Sequence, residues 1–284
     1  MTKLRKAFEN HLILKRYSSK TNEAYTLAVK GLANYYQQSP DKLSDEQIQD
    51  YFRYLIKDRK YAWSSCNVTF CAIKCFYDNV LHRDTRIMIP PRPRQKTLAT
   101  ILSPKDVKKL LNSCTNLKHR TLLYAVYSAG LRVSEVVALK PVHIERSRKM
   151  IRVDQGKGRK DRYTVLSDTL LTELENYWRE YHPEKWLFFG KDKSKPMPVE
   201  TAQQIYYTAK KRAGITKGRG IHTLRHCFAT HLMEKGIQTH TIKRMLGHKS
   251  IVTTAGYIHI SQEFLSTVKS PLDMLYENLQ GSVQ

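Results

Sequence analysis

Apolar residues recur every three to four positions through much of the chain, the spacing that lines one face of a helix. Leu4, Phe8 and Leu12, with the neighbouring Ile13, begin the pattern, and Tyr25, Val29, Leu32, Tyr35 and Tyr36 resume it after the polar pair Ser18-Ser19. Ser44 and Gln47 form an S-x-x-Q capping box, after which Ile48, Tyr51, Phe52 and Leu55 trace one face. A fourth helix is expected over about 64–82, carrying Val68, Cys71, Ile73, Cys75, Phe76 and Leu81. Four such helices would close into one small bundle over residues 1–88.

The pattern breaks at residues 89–96 (IPPRPRQK), where three prolines interrupt any helix and Arg92, Arg94 and Lys96 supply positive charge. Residues 89–102 are therefore expected to be a basic linker able to lie along a phosphate backbone. Ser103, Pro104 and Asp106 then open a helix through about Ser113, and a second apolar helix, Thr121 to Ala129, stops at Gly130. Two strands are expected at 149–155 and 162–167, joined by the basic hairpin GKGRKD. Helices should follow at 168–181, about 199–213, 223–235 and 239–246, the last three closed by Gly214, Gly236 and Gly247. The expected fold is mainly α with a small antiparallel sheet: an N-terminal helical bundle and a mixed second domain over 103–262.

Composition adds a partner class. The 284 residues hold 49 Lys+Arg against 25 Asp+Glu, a formal charge of +24. The excess is spread along the chain, with 15 basic and 9 acidic residues over 1–89 and 34 and 16 over 90–284. A folded chain this basic points to a polyanion, because its cations can displace counterions condensed on nucleic-acid phosphates. A hydrophobic fraction of 41% excludes a disordered basic tail. No apolar run approaches the length of a membrane span, and the N-terminus lacks the cleavage pattern of a secretory signal. Five cysteines without a C-x-x-C pair read as reduced thiols, with Cys71 and Cys75 packing a helix and ligating no metal.

The chemistry lies in scattered segments. In GLRVSEVVAL (130–139), Arg132 stands at a helix start, where its planar fork and the helix amides could meet a phosphate, and Glu135 follows one turn later. In HTLRHCFATHL (222–232), His222 and Arg225 project to one side while Leu224, Phe228 and Leu232 face inward. In MLGHKSIVTTAGYIH (245–259), Gly247 ends a helix, His248 follows and Tyr257 comes nine positions later. Each segment alone is ordinary. Together, two arginines, two histidines, a hairpin lysine and a tyrosine are the groups needed to cleave a phosphodiester without a metal.

The ordered set G-L-R-V-S-E (130–135), G-K-G-R-K-D-R (156–162), H-T-L-R-H (222–226), L-G-H (246–248) and Tyr257 resembles the tyrosine recombinases, or phage integrases, especially their Xer-like and transposon-type members. The resemblance implies a site-specific DNA recombinase working through a 3′-phosphotyrosyl intermediate and a Holliday junction, in integration, excision or resolution. Residue by residue it implies Tyr257 as nucleophile, Arg132 and Arg225 as clamps on the scissile phosphate, and Lys157 as acid for the 5′ oxygen. His222 would assist proton transfer and His248 would add a hydrogen bond. Glu135 would support the site without being catalytic. Arg92, Arg94, Lys96, Arg159 and Lys160 are expected on DNA, with Lys160 a second candidate for the acid. No metal or cofactor is implied.

The family also implies a C-shaped clamp on duplex DNA carrying recombination sites, and a homotetramer on two sites with room for a related recombinase or an accessory protein. It implies no membrane, and a cytoplasmic, nucleoid-associated location. The tail, 263–284, is expected to dock on a neighbouring protomer, since 258–284 holds Glu263, Asp273 and Glu277 against one Lys269 and several apolar residues. Two other readings use the same residues: a degenerate integrase that binds without cutting, and a monomeric DNA-relaxing enzyme. The segment 182–200 holds no large insertion of the kind integron integrases carry.

Overall fold

The computed structural model describes residues 3–89, 91–92, 100–154, 161–248 and 250. The chain divides into two compact units, 1–96 and 97–284.

Among the described residues, the first unit holds four α-helices, α1 (Lys3–Leu14), α2 (Ser19–Tyr36), α3 (Asp45–Lys57) and α4 (Trp63–Asn79), and a short 3-10 turn at Pro40–Lys42. Polar residues set their ends. The Ser18 hydroxyl accepts the Thr21 amide to start α2, and Ser44 and Gln47 exchange bonds of 3.2 and 2.9 Å to start α3 as the S-x-x-Q spacing predicts. Phe8, Leu12, Leu32, Ile48, Phe52, Ile73, Phe76 and Tyr77 form the core, with Phe8 edge-on to Phe76 at 5.3 Å. Three residues read as apolar face turn outward: Ile13, Tyr35 and Val68 are 62%, 43% and 44% exposed. Ile13 and Val68 sit beside the buried positions Leu12 and Thr69, and Tyr35 packs on Tyr36, Tyr51 and Tyr54 at the surface. Helix α4 ends at Asn79, short of the expected 82.

The second unit begins with α5 (Pro104–Asn112), started by the Ser103 cap, and α6 (Leu117–Ala129). Helix α6 starts four residues before the expected Thr121, because the Asn116 side chain caps it and the basic run Lys118-His119-Arg120 masks its first turn. Then come α7 (Val133–Val137), β1 (Ile144–Glu145), β2 (Met150–Val153), β3 (Arg162–Val165), α8 (Asp168–Tyr181), α9 (Val199–Arg212), α10 (His222–Glu234) and α11 (Thr239–Leu246). The sheet is antiparallel in the order β1-β2-β3, with Ile151 opposite Ile144 and Thr164, and Val153 opposite Arg162. Sequence periodicity misses β1, since two residues carry no period.

The core of this unit surrounds α6, whose Leu122, Leu123, Val126 and Ala129 are fully buried. The segment entering the unit is fastened to α10. The Leu102 amide donates to Cys227 Sγ at 3.2 Å, and the Leu102 carbonyl lies 3.0 Å from His231 Nε2, whose Nδ1 is 2.9 Å from the Tyr127 hydroxyl. Among the described residues, no helix is long and apolar enough to cross a membrane.

Helix α6 stops at Gly130, which takes φ 60°. A side chain there would be strained by that conformation and would strike the Phe228 ring, with Cβ 2.6 Å from Cε1. Gly130→Ala is expected to destabilise the second unit by about 2–4 kcal/mol, read as a drop in its thermal melting temperature by circular dichroism. An unchanged melt would show that α10 gives way freely at this contact.

Candidate active site

Segments far apart in the chain meet at the start of α7. The turn at Gly130 makes Arg132 the N-cap of that helix, and Glu135 reaches back to it. Glu135 Oε2 accepts the Arg132 backbone N–H at 2.7 Å, and Oε1 accepts Arg132 Nη1 at 2.6 Å. Arg162, the first residue of β3, donates to both carboxylate oxygens at 2.8 Å. Arg225, in the first turn of α10 and 4% exposed, brings Nη1 within 3.6 Å of Oε2. One buried carboxylate thus faces three guanidiniums. Burial by itself pushes the Glu135 pKa up, but the hydrogen bonds and charges of Arg162 and Arg132 outweigh it and hold the group at about 2.

The same arginines bind the end of α11. Arg162 Nε donates to the Met245 carbonyl at 2.7 Å, Arg225 Nη2 to Leu246 at 2.6 Å and Arg132 Nη2 to Gly247 at 3.4 Å. These are the carbonyls a helix leaves without internal partners, at its negative end, so cations suit them. Gly247 closes the helix at φ 63°, and a Cβ there would lie 2.8 Å from Arg162 Cδ. Arg225 Nη1 also donates to the Gly130 carbonyl, tying the two helix ends together.

His248 comes next, with Nε2 3.2 Å from Arg225 Nη2. A guanidinium has only hydrogens to offer, so Nε2 accepts and the neutral ring carries its proton on Nδ1. Burial, then the charges of Arg225, Arg132 and Arg162, lowers the His248 pKa to about 4. His222 opens α10 with its residue surface exposed, yet the protein around the ring still withholds water. That desolvation, followed by the charges of Arg225 and Arg132, shifts its pKa down. His226 is shifted down as well, by burial first and then by His222 and Arg225.

Arg132, Arg225 and His248 are therefore joined by direct bonds around Glu135 and the end of α11, and His222 lies in the field of both arginines. Lys157, Arg159, Lys160, Tyr257, Arg94 and Lys96 lie outside the described residues. Arg92 is exposed in the first unit, its guanidinium 5.8 Å from the centre of the Trp63 ring. The strands flanking residues 155–160 are anchored on both sides, Arg162 by Glu135 and Asp154 by the buried His143, whose Nε2 lies 3.0 Å from Asp154 Oδ2. Sequence reasoning gave Arg162 no role. It ends the G-K-G-R-K-D-R motif, but nothing in the sequence shows that it binds Glu135, 27 residues away. Among the described residues, no group of three or more His, Cys, Asp or Glu is placed to hold a metal.

Residues 100–263 match the model of the phage integrase family, and residues 4–87 match the phage integrase N-terminal SAM-like domain. The chain is 37% identical over 278 residues to a putative integrase/recombinase of Sinorhizobium fredii, covering 97% of this chain and 90% of that one. It is 33% identical over 243 residues to the tyrosine recombinase XerA of Pyrococcus furiosus, covering 82% and 83%. In fold it is similar to a lambda integrase tetramer bound to a Holliday junction, with a TM-score of 0.74 at 15% identity over 94% of this chain and 78% of that one. The chain belongs to the phage integrase family of tyrosine recombinases, enzymes that break and rejoin DNA.

The depressed His248 pKa has a thermodynamic consequence. Unfolded histidines take up protons at about pH 6.5, whereas folded His248 resists until about 4, so the unfolded chain binds more protons in between. Stability should be full above that window and fall as pH drops through it. Thermal melts from pH 7 to pH 4.5 should show the decline, and it should be shallower in His248→Gln. Equal slopes in the two proteins would contradict the assignment.

Proposed function

We propose that this chain recombines duplex DNA at specific sites, with the scissile phosphate held between Arg132 and Arg225. The observation that supports this most is the convergence of those two guanidiniums with His248 on one carboxylate and one helix end. Two guanidinium forks facing one phosphate would oppose the charge that builds on its oxygens as a fifth bond forms.

In this reading the Tyr257 phenol oxygen attacks phosphorus, forming a 3′-phosphotyrosyl bond as the bond to the 5′ oxygen breaks. Lys157 gives its proton to the departing 5′ oxygen, and Lys160 is the alternative donor. His222, kept neutral by its surroundings, can accept the phenol proton, which a charged imidazole could not. His248 donates to a phosphate oxygen. The phosphotyrosyl bond conserves the energy of the broken link, so a second strand's 5′ hydroxyl reseals it by the same steps in reverse, with Lys157 now taking the proton.

The rest of the chain serves assembly on DNA. The first unit (1–88), the linker residues Arg92, Arg94 and Lys96 and the hairpin residues Arg159 and Lys160 engage phosphates of one duplex, with 103–262 as the catalytic domain. Four protomers on two sites exchange strands through a Holliday junction, alone or with a related recombinase or accessory protein, at the chromosome in the cytoplasm. The acidic, apolar tail 263–284 docks on a neighbouring protomer. An open groove of about 600 Å³ lined by Val107, Leu111, Tyr127, Phe228 and Leu232, with Lys108 and Lys235 beside it, has the matching chemistry. Removing the tail should weaken recombination more than binding by a single protomer.

The decisive experiment maps the DNA covalently trapped by the protein, then presents that site as a nicked suicide duplex in EDTA. Wild type should form a covalent adduct and Tyr257→Phe none. Lys157→Ala should slow adduct formation by about 10²–10⁴-fold, and a substrate with sulfur at the 5′ bridging position should restore most of the loss, because a thiolate leaves without a proton. Adduct formation by Tyr257→Phe would refute the assignment.

A further inference from the structure

Arg162 differs from the other two arginines in how it meets Glu135. It engages both carboxylate oxygens at 2.8 Å, whereas Arg132 contributes one 2.6 Å side-chain bond and Arg225 stands 3.6 Å away. Its third nitrogen, Nε, is bonded to the Met245 carbonyl at 2.7 Å, and its side chain is only 9% exposed. All three nitrogens are thus directed at the support of the site. The cluster holds three guanidiniums and one carboxylate, a net charge of +2.

We propose that Arg162 is a positioning residue that occupies Glu135, so that the carboxylate, already bonded to Arg132, does not also close on Arg225 and the charge of both arginines stays available to a bound phosphate. The proposal rests on the recombinase reading above and assigns Arg162 no contact with DNA. Its logic is competition in a poorly hydrated place. Without Arg162, one carboxylate would stand between two guanidiniums, and the oxygens released by Arg162 would tighten on Arg132 and draw in Arg225. The cluster would fall to +1, and a phosphate would have to displace Glu135 to gain the same bonds. A purely architectural Arg162, fastening β3 to the end of α11, would require no such balance of charge.

The two roles part in a double-mutant cycle. Single-turnover adduct formation is measured on the mapped suicide duplex at saturating protein, with duplex affinity and thermal melts recorded for every variant. Arg162→Gln should slow the adduct step by about 10–100-fold with little change in duplex affinity. Adding Glu135→Gln removes the unbalanced carboxylate, returns the cluster to +2 and should recover about tenfold or more of that loss. Arg162→Lys, which keeps a charge near Glu135 without the fork, should fall between wild type and Arg162→Gln. If Arg162→Gln melts below the assay temperature, Arg162→Lys with and without Glu135→Gln poses the same question. A double variant no faster than the Arg162 variant alone, with both folded, would overturn the proposal. Absence of any adduct with wild type would instead overturn the recombinase reading, and this proposal with it.

Discussion

The site is organised by a shortage of negative charge. Three guanidiniums brought together by folding repel one another, and the buried Glu135 carboxylate stands among them with bonds to two and a 3.6 Å approach to the third. The partial charges of three successive carbonyls at the end of α11 supply the remainder. This compensation is enough to hold the arginines in place and less than enough to neutralise them. The cluster therefore keeps a net positive charge, three guanidiniums against one carboxylate.

The same field sets the state of the histidines. His222, His226 and His248 are all pushed toward the neutral form, partly by desolvation and partly by neighbouring cations. Neutral imidazoles can accept as well as donate, so the cationic cluster keeps proton acceptors beside it at ordinary pH. A bound phosphate would relax that effect, because its charge favours the imidazolium.

Much of this was legible in the sequence. The helical periods, the caps at Ser44 and Ser103 and the stops at Gly130 and Gly247 are local features, and the ordered motifs carry the family. Ile13, Tyr35 and Val68 misled because periodicity places a residue on a helix without fixing which neighbours its helix will have. Strand β1 was too short to show a period. The role of Arg162 stayed hidden for a different reason: its partners, Glu135 and the Met245 carbonyl, are 27 and 83 residues away, and one of them is backbone. No pattern of side chains announces a carbonyl.

The fastening of Leu102 bears on how this protein could be divided. By secondary structure the second unit starts at Ser103, so a fragment cut there would look whole. It would nevertheless lack a side chain that is 1% exposed, and it would strip Cys227 and His231 of the backbone atoms they hold. Both of those residues belong to the helix that begins with His222 and Arg225. The second unit therefore extends upstream of its first helix, and a cut at Ser103 would loosen the helix that holds His222 and Arg225.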